Sequence, residues 1–135
     1  MDIPTVRAVS GPDPYSVALV DERGHRWSGD EPAELGGGDT GPTPSQLLLS
    51  SLGACTVITL QMYAARKQWP LSGVEVELQY NPDGVPAAGI DITRRVSLRG
   101  ELDETQRQRL LQIAHACPMH KALTGEIRIA SELGG

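Results

Sequence analysis

Two cysteines are the residues of this 135-residue chain whose types and positions indicate chemistry. Cys55 lies in the longest uncharged run, residues 47–65, and Cys117 stands directly before a proline. Because they are far apart in the sequence, only the fold can bring their thiols together. Two thiols that meet form a disulfide staple, part of a metal site or a redox couple. Nothing at the N-terminus resembles a signal peptide, so we expect a cytoplasmic, reducing location, where lasting structural disulfides are uncommon.

The local sequence predicts different surroundings for the two thiols. Cys117 precedes Pro118 as the N-cap of a helical turn, where free backbone N–H groups favour the thiolate. Cys55 lies well inside an apolar helix, where burial is expected to raise its pKa. Ser51, one turn earlier, is a candidate hydrogen-bond donor to Cys55. Without a catalytic role, Cys55 is interpreted as a small buried apolar side chain.

Two histidines flank Cys117 and suggest two further site types. With both thiols, His115 and His120 make four potential zinc ligands. Their spacing lacks the second close pair of common zinc motifs, so we expect no metal and no cofactor. A Cys–His hydrolase is the other possibility, although no sequence feature marks an oxyanion hole. Otherwise His115 is a helix-surface residue, and His120 a helix-end cation or a donor near the thiol.

Charge and hydropathy exclude some partners. The net charge of −5 argues against nucleic-acid binding. We interpret the cluster of Arg94, Arg95 and Arg99 as a solvated strand face. Residues 47–65 are numerous enough to span a membrane. Serine, threonine and glutamine interrupt this run, so we predict the central buried helix of a soluble protein and no membrane partner.

The N-terminal half reads as strands followed by a long helix. Residues 3–9, 15–21 and 25–29 are predicted strands, separated by strong turn signals. A loop follows over residues 29–44, in which we expect the glycine run 36–38 to be mobile. Thr43, Pro44 and Gln46 form a capping box that predicts a helix start, and the helix is expected to end near Lys67.

The C-terminal half predicts a hairpin, a helix and a last strand. Residues 74–80 alternate cleanly, and the next strand presents Ile90, Ile92, Val96 and Leu98 on one face, with Arg94 as the exception. Asp103 and Gln106 cap a second helix. A short helical turn follows Cys117, and residues 125–130 form a predicted final strand. The order β-β-β-α-β-β-α-β indicates an α+β fold, mainly antiparallel, in a single domain over residues 1–135.

Several of these motifs resemble those of the OsmC/Ohr family. The likeness covers about residues 20 to 130 and includes both cysteine regions. It is carried by GPTPSQLLLSSLGACT at 41–56, MYAARK at 62–67, GELD at 100–103 and CPMH at 117–120, with DEP at 30–32 and GG at 36–37 similar to the loop of the OsmC-like branch.

The resemblance implies an intertwined homodimer and a thiol-dependent peroxidase that acts on organic hydroperoxides in oxidative-stress defence. By that analogy Cys55 is the peroxidatic residue, oxidised to sulfenic acid, and Cys117 is the resolving residue. A dithiol reductant, of the lipoyl type in the best-known branch, would reduce the resulting disulfide. The alternative is a non-catalytic protein that binds a small acyl or thiol ligand in a cleft beside Cys55.

One position departs from the family pattern. Characterised peroxidases carry a glutamate ten residues before the first cysteine, paired with an arginine that stabilises the thiolate. Here Ser45 occupies that position and Gln46 follows it, so neither residue is acidic. Besides these two, Ser51 and His120 are the candidate supporting residues, with Arg26 as a candidate cation. Arg7 and Arg23 are the other arginines near the N-terminus. A peroxidase needs an arginine within hydrogen-bond reach of Cys55, whereas a binding protein does not.

Overall fold

The computed structural model describes residues 3–135, and within them the chain folds as α+β with two small antiparallel sheets and three α-helices. Contacts divide the chain into two compact units, one ending at Leu49 and one running over Ser50–Gly135. The single-domain assignment stays a prediction. The elements are β1 Val6–Ser10, β2 Val17–Asp21, β3 Arg26–Gly29, α1 Pro44–Lys67, β4 Leu71–Tyr80, β5 Ile92–Gly100, α2 Glu104–Ile113 and α3 Pro118–Thr124, with short 3-10 turns at Ala33–Leu35 and Ala114–Ala116.

The first unit contains a three-stranded meander in the order β1-β2-β3. Val6 pairs with Asp21, and Val17 pairs with both Ser10 and Gly29. The Asp21 carboxylate accepts the backbone N–H groups of Arg23 and His25, so it fixes the turn between β2 and β3. The three predicted strands are therefore present, each starting one to three residues later than the sequence suggested.

The loop after β3 is organised around one carboxylate. Asp30 is buried, and its oxygens accept the hydroxyl and N–H of Thr40, at 2.6 and 3.1 Å, and the N–H groups of Glu31 and Gly38. These hydrogen bonds, the Thr40 hydroxyl foremost, lower the pKa of Asp30 to about 2. A Cβ on Gly37 would overlap the backbone oxygen of Glu31. Close packing against Glu31 therefore explains why position 37 is glycine, a reason different from the loop mobility that the sequence predicts.

Helix α1 begins at the predicted capping box and runs to Lys67. Gln46 Oε1 accepts the N–H of Thr43 at 2.9 Å, and the Thr43 hydroxyl accepts the N–H of Gln46 at 3.2 Å. The helix is long and apolar enough to cross a membrane, a test that the core helix of a soluble protein also passes. Its buried residues recur every fourth position and form one stripe: Leu52, Thr56, Leu60 and Ala64. Within one chain, the predicted central helix is thus covered along one face, and Ile58 and Met62 on its other faces are exposed.

The second unit builds its core between α1, α2 and the β4–β5 hairpin. Leu60, Ala64, Leu110 and Ala114 are buried together, and half-buried side chains of both strands pack against them. The hairpin pairs Tyr80 with Ile92 at its turn end. Helix α2 starts at the predicted capping box of Asp103 and Gln106. The C-terminal half of α1 therefore packs against β5 through this core.

The predicted final strand is wrong for the described chain. Residues 125–130 contain no strand, and the order ends in α3 instead. Ile127 and Ile129 alternate as a strand face would, yet they are 58% and 86% exposed. Alternation specifies which side chains share a face, but a strand also needs a neighbour for its backbone N–H and C=O groups. This segment has no such neighbour within the described chain.

Candidate functional site

The fold brings the two cysteines together, as the sequence required for any joint chemistry. Helix α1 carries Cys55, and Cys117 is the N-cap residue of α3. Both are free thiols, and each acts on the pKa of the other. Cys55 is half-buried, whereas Cys117 is fully buried. A reagent from solvent therefore reaches Cys55 first.

Local sequence explains the position of Cys117. Pro118 opens α3, and the extended backbone of Cys117 turns its side chain toward the first helical turn. The sulfur accepts the backbone N–H of His120 at 3.4 Å. The predicted N-cap is confirmed.

The acidities of the two thiols are the reverse of the prediction from local sequence. Burial, followed by the hydrogen bond with Cys55, raises the pKa of Cys117, and the N–H groups of His120 and Met119 only partly oppose this. Burial would also raise the pKa of Cys55. However, the Cys117 thiol, the Met119 N–H, the Thr59 hydroxyl and the Arg94 charge together lower it. The pKa of Cys55 is thus lowered and that of Cys117 is raised, so Cys55 is the thiol that ionises first.

The residue that sequence reasoning missed is Arg94. It lies on the half-buried face of β5, between Ile92 and Val96, and reaches toward α1 and α3. Its Nη1 donates to the Thr56 hydroxyl at 3.1 Å, and its Nη2 donates to His120 Nδ1 at 3.0 Å. The available signal was an arginine on a strand face that is otherwise apolar. A charge at such a position needs buried partners, so the solvated-face interpretation is wrong for this residue.

The charge of Arg94 has no carboxylate partner among residues 3–135. The ion pairs within 4.0 Å in that part of the chain are His25–Asp21 and Arg128–Glu126. Burial lowers the pKa of Arg94, while the charges of Cys117 and Cys55 raise it. The interaction is mutual, since Arg94 in turn lowers the pKa of Cys55. The guanidinium thus faces the thiol pair with neutral hydrogen-bond partners on both sides.

His120 acts here as an acceptor and not as the helix-end cation that one interpretation proposed. Burial, then the charges of Arg94 and His115, lower its pKa, so the imidazole is neutral near pH 7. A guanidinium can only donate, so His120 Nδ1 accepts and its proton lies on Nε2. The His115 ring lies 4.9 Å away, centroid to centroid. In the described part of the chain no three His, Cys, Asp or Glu residues are grouped to hold a metal ion.

The remaining predicted residues contribute less directly. The hydroxyl near Cys55 belongs to Thr59, 4.0 Å from the sulfur, and Ser51 is exposed one turn before Cys55. Three of the predicted site residues belong to the unit that ends at Leu49. One of them, Gln46, caps helix α1 by accepting the N–H of Thr43. The other two are Ser45, half-buried in the first turn of α1, and Arg26, exposed on β3. Their roles toward Cys55 stay predictions.

A cavity of about 690 Å³ adjoins the thiol site. Arg94 and His120 line it, but neither cysteine does, so the cavity meets the site through these two side chains. Most of its other walls are apolar, with Asp83 and Asp91 as the acidic lining residues. The apolar members are Leu52, Pro82, Ile90, Ile92, Leu111 and Leu123.

Comparison with protein families identifies the chain. The model of the family described as OsmC-like protein matches residues 36–132, a segment that contains both cysteines and Arg94. The chain belongs to the OsmC-like family. No curated protein matches its sequence.

Solved structures share the OsmC-like fold at low identity. An OsmC-like protein of Mycoplasma pneumoniae is 21% identical with a TM-score of 0.77, over 92% of this chain and 89% of that one. An organic hydroperoxide resistance protein of Legionella pneumophila is 22% identical with a TM-score of 0.69, over 93% and 91%. An organic hydroperoxide resistance protein of Bacillus subtilis is 24% identical with a TM-score of 0.62, over 92% of each chain. These likenesses establish the α+β fold of the family.

Proposed function

We propose that this OsmC-like protein is a thiol-dependent peroxidase that reduces organic hydroperoxides in defence against peroxide stress. The observation that carries the proposal is the pairing of an accessible and a buried thiol that act on each other, so that the pKa of Cys55 is lowered and that of Cys117 is raised. The family and the hydroperoxide resistance proteins that share its fold support the same class of substrate.

The first step uses Cys55 as the nucleophile. Its thiolate attacks the terminal oxygen of the hydroperoxide, the O–O bond breaks, and the alkoxide leaves as an alcohol after taking up a proton. Cys55 is then a sulfenic acid, oxidised by two electrons. The thiolate is the reactive form, so the lowered pKa of Cys55 favours this step at neutral pH.

The second step uses Cys117 to resolve the sulfenic acid. The Cys117 sulfur attacks the Cys55 sulfur, a disulfide forms, and the hydroxyl of the sulfenic acid leaves as water. Each thiol acts on the pKa of the other, which supports their reacting as a pair. An external dithiol then reduces the bond by exchange and becomes a disulfide itself, which restores both cysteines.

The two roles are tested with single substitutions and tert-butyl hydroperoxide. Cys55→Ser should abolish peroxide consumption in the presence of a dithiol. Cys117→Ser should still consume one equivalent and leave a sulfenic acid on Cys55 that dimedone traps. Equal single-turnover rates for the wild type and Cys55→Ser would contradict the assignment.

Peptide mapping tests the resolving step separately. One equivalent of hydroperoxide should convert the reduced wild type to a form with Cys55 linked to Cys117 within one chain. A dithiol should reverse the link. Finding the two cysteines as separate sulfenic or sulfinic acids would exclude the redox couple.

We also propose that the working form is a homodimer. Helix α1 buries one stripe in its own chain, while Ile58 and Met62 stay 49% and 61% exposed. Covering such apolar area with a second chain removes it from water and stabilises the assembly. Light scattering at micromolar concentration should give the mass of two chains. A monomer that stays folded on dilution would count against the dimer.

The cavity beside Arg94 favours a second candidate function. Its walls combine apolar side chains with Arg94 and His120, and with a volume of about 690 Å³ they suit a small acyl or thiol ligand, as a non-catalytic binding protein would require. In the described chain Arg94 acts on Cys55 through its charge, while its hydrogen bonds go to Thr56 and His120. If the wild type consumes no hydroperoxide faster than free thiol does, the binding function is favoured.

A further inference from the structure

We propose that His120 is a positioning residue for the thiol chemistry, because it holds the Arg94 guanidinium and the Cys117 sulfur at the same time. This inference rests on the proposed peroxidase function. In this proposal the neutral His120 imidazole fixes the position of the Arg94 guanidinium, whose charge acts on Cys55.

The first support is the number of elements that His120 connects. Its backbone N–H donates to the Cys117 sulfur at 3.4 Å, and its Nδ1 accepts from Arg94 at 3.0 Å. The other nitrogen of Arg94 donates to Thr56, whose hydroxyl donates in turn to the Leu52 carbonyl at 2.7 Å. Thr56 directly follows Cys55 in α1. The hydrogen bonds therefore fix the cap of α3, the strand β5 and the cysteine turn of α1 relative to one another.

The second support is the charge of the partners. A carboxylate beside Arg94 would compensate the guanidinium and weaken its attraction for a thiolate. Thr56 and His120 hold the guanidinium through neutral acceptors, and no carboxylate of residues 3–135 lies within 4.0 Å of it. The positive charge therefore acts on the thiol pair.

The hydrogen bond requires the neutral form of His120. A protonated imidazole has only N–H donors and would repel the guanidinium. The titratable and charged groups that face this imidazole or line the same cavity come from several elements: Arg94 of β5, His115 of the turn after α2, Cys117 at the cap of α3, Cys55 of α1, and Asp83 and Asp91 before β5. Burial and two of these basic groups favour the neutral imidazole.

The test measures how fast iodoacetamide alkylates Cys55 as a function of pH, in the reduced full-length protein, with the Cys55 peptide followed by mass spectrometry. His120→Leu removes the acceptor and should shift the midpoint to higher pH and slow alkylation at pH 7. His120→Asn offers an amide oxygen near the position of Nδ1 and should restore a midpoint close to that of the wild type. His25→Leu is the matched control, because this exposed imidazole hydrogen-bonds to Asp21 and not to Arg94.

Two results would overturn the proposal. One is an equal midpoint for His120→Leu and the wild type, and the other is an equal upward shift for His25→Leu. If His120→Leu does not fold, the comparison of Arg94→Gln with Arg95→Gln decides. Arg95 lies on the exposed face of β5, so only Arg94→Gln should raise the midpoint. Equal midpoints for these two variants would overturn the proposal as well.

Failure of this inference and failure of the proposed function are distinguishable. Alkylation reports the ionisation of Cys55 whether or not the protein reduces peroxides. A wild type that consumes no hydroperoxide, yet shows the His120-dependent midpoint, would refute the peroxidase function alone. If the wild type reduces hydroperoxides and His120→Leu has the same alkylation midpoint as the wild type, the positioning role alone is refuted.

Discussion

The Thr56 hydroxyl offers a quantitative test of how Arg94 is held. Thr56 is fully buried, donates to the Leu52 carbonyl at 2.7 Å and accepts from Arg94 at 3.1 Å. Thr56→Val keeps the branched shape and removes the oxygen. It thereby leaves one N–H of a partly buried guanidinium without its partner.

The expected cost follows from those two hydrogen bonds. A hydrogen bond to a charged group contributes about 1.5–3 kcal/mol, and leaving such a buried donor unpaired lies in the same range. The Leu52 carbonyl keeps its helical partner, so loss of the second hydrogen bond adds little. Valine and threonine have similar helix propensities. We expect the free energy of unfolding to fall by about 2 kcal/mol.

The assay is equilibrium unfolding in urea, followed by circular dichroism, with the cysteines kept reduced. All variants are compared at one protein concentration, because the stability of the proposed dimer would depend on it. Thr93→Val is the matched control. Thr93 is exposed on β5, and its hydroxyl reaches Gln79 only at 3.5 Å, so a change within about 0.5 kcal/mol is expected. Equal losses in the free energy of unfolding for Thr56→Val and Thr93→Val would refute the conclusion that the Thr56 hydroxyl holds Arg94.

Two further predictions concern the first unit. Gly37→Ala should lower the melting temperature because its Cβ would overlap the Glu31 oxygen, whereas Gly134→Ala, with open space around it, should not; equal melting temperatures would contradict the packing argument. Asp30 has a pKa of about 2 in the fold against an ordinary 3.8, so its carboxylate stabilises the fold fully above pH 4 and progressively less as the pH falls toward 2. Asp30→Asn should therefore be less stable than the wild type at pH 7, with a difference that shrinks between pH 4 and pH 2 in urea unfolding; a difference independent of pH would refute the role of the charge.

Features governed by near neighbours in the sequence were predicted correctly. The capping boxes of Thr43 with Gln46 and Asp103 with Gln106 use residues three positions apart, so the sequence alone specifies them. The N-cap role of Cys117 is local in the same way. The motifs around the two cysteines also predicted the family, which the match over residues 36–132 confirmed. A cytoplasmic location stays a prediction.

Features that depend on distant partners were decided by the tertiary structure. The residues that hold Arg94 lie 38 and 26 positions away in the sequence, so the alternation along β5 showed an odd residue without showing its partners. Residues 125–130 have the alternation of a strand, but the described chain supplies no neighbouring strand to pair with them.

The order of the two thiol acidities is the clearest case. From local sequence the cap of α3 favoured ionisation of Cys117, and the apolar helix disfavoured ionisation of Cys55. In the fold, burial raises the pKa of Cys117, whereas the Cys117 thiol, the Met119 N–H, the Thr59 hydroxyl and the Arg94 charge together lower the pKa of Cys55. The sequence determined that one thiol lies inside a long apolar helix and the other at the N-cap of a short one. A pKa depends on the burial, donors and charges gathered around a group from several elements, so only the tertiary structure decided which thiol ionises first.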